Sequence, residues 1–184
     1  AVLNYAHPRG TDDSWLYLPA SRRVRRISGA NRTASFQGTE FSFEDLSRIF
    51  PDQFDWRFLE EKVLEIDGAK LPGFELEARP RYKATGYSKL VLLMNRESWR
   101  VERTIFYDRG GRLLKTLTYS KWKHFHGRRW RATRIEMQNH QTSGSTTIEL
   151  DPLLLNMALY QKEDGTRRDG LAEEQFTKRA LERF

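Results

Sequence analysis

Apolar residues in this chain recur at every second position, in run after run, and the runs are separated by turn residues rather than by helix-length connections. Leu90, Leu92 and Met94 share one side of a short segment, and Val101, Ile105 and Tyr107 share one side of the next. Ile135 with Met137, and Ile148 with Leu150, continue the pattern. A period of two is the spacing of a strand that buries one face. The candidate strands cover residues 15–18, 22–27, 54–66, 74–79, 87–95, 99–108, 113–125, 130–141 and 145–150. Between them, Asp67-Gly68, Asn95 to Ser98, Asp108-Arg109-Gly110-Gly111, His126-Gly127-Arg128 and Ser143-Gly144 supply turn chemistry. Parallel strands need a crossover of about a dozen residues or more. No such connection lies between the later strands, so they form an antiparallel meander.

Helix signals are few. Ser42, followed three residues later by Asp45, reads as a capping arrangement that opens a short helix through Arg48, with Pro51 ending it. Residues 171–181 read either as a terminal helix or as a strand end around Phe176. The meander therefore has one oily side and one wet side, the latter carrying Lys89, Glu102, Thr104, Arg134, Glu136 and Glu149. An apolar sheet face must meet a second sheet, lie under helices, or curl around a ligand. Met94, Met137 and Met157 add unbranched, adaptable surface. Two readings of that face stand side by side: an ordinary packed core, and a partly open pocket.

Length and charge narrow the function classes. A chain of 184 residues is one domain, 1–184, by the length prior. Without cysteine it is no disulfide-stapled scaffold and has no thiolate chemistry, which suits the cytosol or a Gram-negative periplasm. Its longest apolar run, Leu90 to Met94, is far short of the roughly 18 residues of a spanning helix. The sequence begins at Ala1 rather than Met, so a processed start is expected. The net charge of +7 invites a nucleic-acid reading, but most basic residues alternate with acids, as in Arg100-Val101-Glu102-Arg103. Only residues 22–26 and 121–134 are locally one-signed, and a basic surface suits anionic lipid head groups equally well, so peripheral membrane contact belongs among the expectations.

Catalytic groupings are lacking. Lys123-His124-Phe125-His126 places two histidines on one strand face, with His140 and Glu136 as further ligand candidates. A metal needs three or four ligands with a supporting shell, and exposed polar residues at a hairpin end are the better reading. Glu44-Asp45, Glu60-Glu61 and Glu173-Glu174 are sequence neighbours whose side chains diverge on a strand. Ser35, Ser42 and Ser145 lack a triad context. The reading is no enzyme, no cofactor and no metal. The arginine run is more informative: Arg22, Val24 and Arg26 face one way, Arg23, Arg25 and Ile27 the other. With Glu40, Glu44 and Asp45 as nearby acids, the run reads either as a structural salt-bridge lattice or as a fork-shaped anion receptor at the mouth of a greasy pocket. Two rival functions remain. One is a basic sheet that stacks single-stranded nucleic acid on Trp122, Phe125 and Trp130 among Lys121, Lys123, Arg128 and Arg131. The other is a structural domain that docks a partner through a sheet edge.

Three ordered blocks, Trp15-Leu16-Tyr17-Leu18-Pro19, Arg23-Val24-Arg25-Arg26-Ile27 and Ser35-Phe36-Gln37-Gly38-Thr39-Glu40-Phe41-Ser42-Phe43-Glu44-Asp45-Leu46, resemble the LolA-like outer membrane lipoprotein-sorting protein family. Tyr107-Asp108, Gly111, Leu114-Lys115, Trp130, Glu136-Met137-Gln138-Asn139, Thr146 to Leu150 and Gly170 to Arg183 follow in the family's order. The resemblance implies a mainly β fold: a curved antiparallel sheet, or half-barrel of the LolA/LolB kind, with a few short helices covering an apolar cavity. It implies a periplasmic protein of Gram-negative type, exported by a signal peptide not present in this sequence. Only Ala1 to Ser14 precede the tryptophan block, so the family's N-terminal part is expected to be missing or shortened in this sequence. The implied function is non-enzymatic carriage of lipid or lipoprotein acyl chains toward the outer membrane, with an inner-membrane transporter of the resistance-nodulation-division class as a partner and no nucleic acid. On this reading the acyl chain meets Leu90, Leu92, Met94, Val101, Ile105, Tyr107, Ile135 and Met137. Trp15, Tyr17, Arg23, Arg25 and Arg26 stand at the rim for an anionic head group.

Overall fold

The computed structural model describes residues 2–5, 7, 13–18, 21–27, 31–47, 49–66, 68–125, 129–150, 160–161 and 167–168. The chain forms two compact units, Ala1–Asn31 with Leu154–Phe184, and Arg32–Leu153. Among the described residues antiparallel strands dominate both. Among the described residues helix occurs only as 3-10 geometry, in the turn Pro51–Gln53 and at Ser21 and Asn31, and no helix is long and apolar enough to cross a membrane.

In the first unit, β1 (Val2–Tyr5), β2 (Asp13–Leu18) and β3 (Arg23–Ile27) pair in that order. Register sets the faces. Trp15 lies opposite Leu3 and Arg26, and Tyr17 opposite Val24, so these residues share one side. Leu16 opposite Arg25, and Leu18 opposite Arg23, define the other. Leu3 and Tyr17 are buried, with Trp15 and Val24 packed on them.

The second unit is a seven-stranded sheet in which every strand neighbours the next in sequence. The strands are β4 (Phe54–Ile66), β5 (Ala69–Pro80), β6 (Tyr87–Asn95), β7 (Val101–Asp108), β8 (Leu113–Phe125), β9 (Arg129–Asn139) and β10 (Ser145–Glu149). The sheet is open, with β4 and β10 at its two ends. The alternation pattern placed β4, β6 and β8 at the observed bounds. β1 was not foreseen, nor was the short pair β11 (Tyr160–Gln161) and β12 (Arg167–Arg168). Gly68 and Gly111 turn the chain at φ 77° and 80°, a region that costs an L side chain about 1 kcal/mol or more. The expectations for Arg48, Asp67, His126-Gly127-Arg128, Met157 and residues 171–181 lie outside the described residues.

The expectation of one oily and one wet side needs correction. On the first face Leu90, Leu92, Phe106, Leu117 and Met137 form a buried cluster. On the second, Leu64, Ile66, Val91 and Leu93 form another. The cause is the apolar run in β6, which spends residues on both sides. Glu102 and Thr104, expected on the wet side, are buried at 0% and 6% exposure, because Leu92 pairs with Thr104.

A polar clasp holds residues 32–47 over the first face. Phe41 is buried within its cluster, and Phe36 and Leu46 pack against it. Asp45 forms an ion pair of 2.5 Å with Lys115 of β8, both almost wholly buried, and accepts the Tyr87 hydroxyl at 2.6 Å. Glu44 accepts hydrogen bonds from the Tyr82 and Thr85 hydroxyls and the Gly86 N–H. Burial first, and then the Asp45 carboxylate, push the Tyr87 phenol far upward, so it stays a donor. The Ser42–Asp45 capping arrangement is present: the Ser42 N–H donates to Asp45 Oδ2 at 2.6 Å and the Asp45 N–H to Ser42 Oγ at 3.2 Å. It closes a turn rather than a helix over its described residues, because both carboxylates reach across to the sheet.

On the second face Glu77 is buried among Arg79, Arg57 and Lys89. The hydrogen bond from Arg79, helped by those from Arg57 and Lys89, outweighs burial and lowers its pKa from 4.5 to about 2. Gly73 admits no side chain, since a Cβ there would lie 2.5 Å from Leu64 Cγ and 2.7 Å from the Met94 carbonyl oxygen.

Two outcomes follow for stability. Asp45→Ala leaves Lys115 buried without its carboxylate and lowers unfolding free energy by about 3–5 kcal/mol in urea titration, whereas Asp45→Leu combined with Lys115→Met recovers most of the loss. Because the folded pKa of Glu77 is depressed, its contribution is complete above pH 4.5 and is lost as pH falls toward about 2. Glu77→Gln therefore destabilises at neutral pH, and the gap from the parent protein narrows through that window in acid-unfolding curves.

Candidate functional site

The turn between β6 and β7 carries the residues that shape the site. Asn95 is buried, and its side-chain oxygen accepts the N–H groups of Glu97 and Ser98 at 2.9 and 3.0 Å. Its backbone N–H donates to the Arg100 carbonyl, while the Trp99 N–H donates to the Asn95 carbonyl. This clamp puts Trp99 at φ 56°, a conformation a bulky side chain rarely adopts. Trp99 is 69% exposed and meets Phe74 edge-on at 5.8 Å.

Arg100 turns back over the first face. Its Nε and Nη2 donate to Glu102 Oε1 at 3.0 and 2.8 Å, and Trp122 Nε1 donates to Glu102 Oε2 at 2.8 Å. The guanidinium lies 4.6 Å from the Trp122 ring centre and 4.5 Å from that of Trp130, and His124 stacks on Trp130 at 4.5 Å. A cation held between two indoles gains cation–π attraction, more when water is excluded. Both oxygens of the buried Glu102 are thereby satisfied. Lys121, at φ 51°, interrupts the alternation of β8. Tyr119 and Trp122, three positions apart, therefore meet with ring centres 6.1 Å apart.

These groups border a cavity of about 520 Å³. Trp99 and Arg100 stand on one side, Tyr119 and Trp122 on β8, and Trp130 and Ile135 on β9. Burial, with a smaller effect from Asp45, raises the Tyr119 phenol, which stays neutral at physiological pH. The chemistry is that of an amphipathic receptor, with ring faces, an aliphatic wall and guanidinium donors. Among the described residues no group of three or more acidic or histidine side chains is placed to hold a metal. His140 is instead bonded to Thr116 at 2.8 Å.

The structure divides the residues expected to meet an acyl chain. Leu90, Leu92 and Met137 are buried on the first face beneath Phe41, with Met94, Val101 and Ile135 packed at the margin of the same cluster. Val101 reaches that face because a bulge between Leu93 and Met94 sets it opposite Met94. Ile105 and Tyr107 are on the second face with Val91 and Leu93, because Ile105 pairs with Val91 and not with Leu90 or Leu92. Of the eight, Ile135 lines the cavity.

The rim set divides too. Trp15, Tyr17 and Arg26 share one side of the first unit's sheet, and Arg23 and Arg25 the other. Arg26 is ion-paired with Asp13. The acids expected to serve the arginines are committed elsewhere: Asp45 to Lys115, Glu44 to Tyr82 and Thr85, and Glu40 to Asn139. Sequence reading missed Trp99, Arg100 and Glu102 as site residues. A tryptophan set inside a polar turn was the available signal. Trp122 and Trp130 were singled out as platforms for nucleic-acid bases, yet their rings already stack on Arg100, and that of Trp130 on His124 as well.

A family model described as "uncharacterized protein" matches residues 1–183. The structure is similar to an outer membrane lipoprotein-sorting protein domain from Vibrio parahaemolyticus, with 37% identity and a TM-score of 0.84, over 98% of this chain and 70% of that one. It is also similar to a DUF1329 family protein from Desulfovibrio piger, with 29% identity and a TM-score of 0.79, over 98% and 69% of the two chains. A LolA superfamily protein from Nitrosomonas europaea shares the fold at 23% identity and a TM-score of 0.62, over 91% and 67%. Comparison with curated proteins gives no match.

The clamp on Arg100 makes a local prediction. Arg100→Lys keeps the charge but loses the planar stacking and the two-nitrogen contact with Glu102. It lowers stability by about 1–2 kcal/mol and shifts tryptophan emission to the red as the indoles gain water.

Proposed function

Because the chain belongs to the LolA-like family of outer membrane lipoprotein-sorting proteins, we propose that it is a non-enzymatic periplasmic carrier of lipid or lipoprotein acyl chains. The observation that carries this reading is the uneven filling of the first sheet face. Around Leu90, Leu92 and Met137 the face is packed with the chain's own side chains, while toward Trp99, Trp122 and Ile135 it opens into the cavity. The acyl chain lies in that open part, along Ile135 and the tryptophans, while Leu90, Leu92 and Met137 stay under the packed part of the face with Met94 and Val101 at its margin. Ile105 and Tyr107 contribute support from behind the sheet rather than contact. Covering roughly 400 Å² of hydrocarbon supplies on the order of 10 kcal/mol gross at ~25 cal/mol per Å², part of which the cost of ordering the chain consumes.

The exposed Arg23 and Arg25 suit the anionic head groups of a membrane surface. The chain, 1–184, is read as a single LolA-like domain. An inner-membrane transporter of the resistance-nodulation-division class as the delivering partner rests on the family resemblance alone.

Native mass spectrometry of protein purified without detergent tests the proposal. The parent protein carries co-purifying lipid. Ile135→Glu, which puts a carboxylate in the cavity wall, loses it while keeping a cooperative melting transition. Lipid-free parent protein that also fails to take up added fatty acid removes the proposal.

A further inference from the structure

Resting on the acyl-chain reading, we infer that the cavity bordered by Trp99, Trp122 and Trp130 selects amphiphiles with an anionic head group, which Arg131 receives with the help of Arg100. The first ground is charge. Arg100 and Arg131 both line the cavity, and among the described residues no acidic one does. Glu102, buried beneath it, neutralises one of the two, and its oxygens are used up by Arg100 and Trp122. Among the described residues that line the cavity, one positive charge is left over.

The second ground is the state of the donors. Arg131 is exposed, and among the described residues its side chain makes one hydrogen bond, from Nη1 to the Trp130 carbonyl at 2.9 Å. Among the described residues it has no carboxylate partner. Two nearby cations differ: Lys121 is tied to Glu149, and Arg134 to Glu149 and Glu136. Arg100 spends Nε and Nη2 on Glu102, which leaves Nη1. Ser98, also on the cavity wall, has a buried hydroxyl with no hydrogen-bond partner. A buried polar group without a partner is costly.

The third ground is position. Arg100 stacks on both indoles and Arg131 lines the same cavity as the indoles and Ile135, so an anion and its hydrocarbon tail are bound at one place. An arginine fork takes a carboxylate or a phosphate through paired N–H groups, and the shared chemistry is an oxyanion on an apolar tail. A cationic head group would meet the leftover positive charge and is disfavoured.

The test titrates the full chain with dodecanoate, with methyl dodecanoate and with acetate, read by tryptophan emission and by calorimetry. Dodecanoate binds about tenfold tighter than its methyl ester, as one charge-assisted contact predicts, and acetate does not bind measurably. In Arg131→Gln the acid falls to the affinity of the ester, whose own binding is unchanged. Equal affinity of acid and ester for the parent protein overturns the head-group inference and leaves the acyl-chain reading standing, as does a preference that survives Arg131→Gln. Tight binding of acetate also overturns it, since the site is then a simple anion site. Failure of acid and ester alike overturns both readings.

Discussion

The ion pair between Lys115 and Asp45 is the contact on which the second unit depends. A lone lysine in the middle of an oily sheet face would be prohibitive. Asp45, brought over from residues 32–47, turns that cost into an anchor, and it also takes the Tyr87 hydroxyl. Once the anchor is set, Phe41 must lie against the face, with Phe36 and Leu46 beside it. The polar and apolar contacts are thus one device. The network specifies where the chain returns over the sheet, and the burial around it supplies most of the stabilisation.

The same device determines where the sheet is not filled. Residues 32–47 cover the part of the face around Leu90, Leu92 and Met137, and the cavity occurs where Trp99, Tyr119, Trp122 and Trp130 line it instead. There a second buried carboxylate, Glu102, plays a role parallel to that of Asp45. It holds Arg100 between two indoles and keeps those rings in place. Two acid–base pairs on one face, one under a plug and one under an open cavity, divide packing from binding.

Much of this was legible in residue order. The turn chemistry marked the hairpins, and the strand periodicity placed β4, β6 and β8 at their observed bounds. The capping relation between Ser42 and Asp45 was visible, though not that Asp45 would spend its other oxygen contacts on Tyr87 and Lys115 instead of extending a helix. The site was less legible. Alternation within one strand shows which residues share a side, but carries nothing about which side of the next strand they join. Ile105 and Tyr107 were grouped with Leu90 for that reason, and the pairing of Val91 with Ile105 separates them. Bulges compound the difficulty: one between Leu93 and Met94 brings Val101 across, and the backbone at Lys121 turns Trp122 toward Tyr119.

By itself the sequence determined an antiparallel β-protein without thiol chemistry, rich in alternating strands, and its ordered aromatic and arginine blocks identified the family. Those are properties of local periodicity and composition, which survive in a one-dimensional string. Tertiary structure alone decided that both sheet faces are apolar, that Glu102 and Lys115 are buried and paired, and that a cavity opens beside Arg100 and Arg131. Each of these follows from register and long-range pairing, where a shift of one residue exchanges inside for outside.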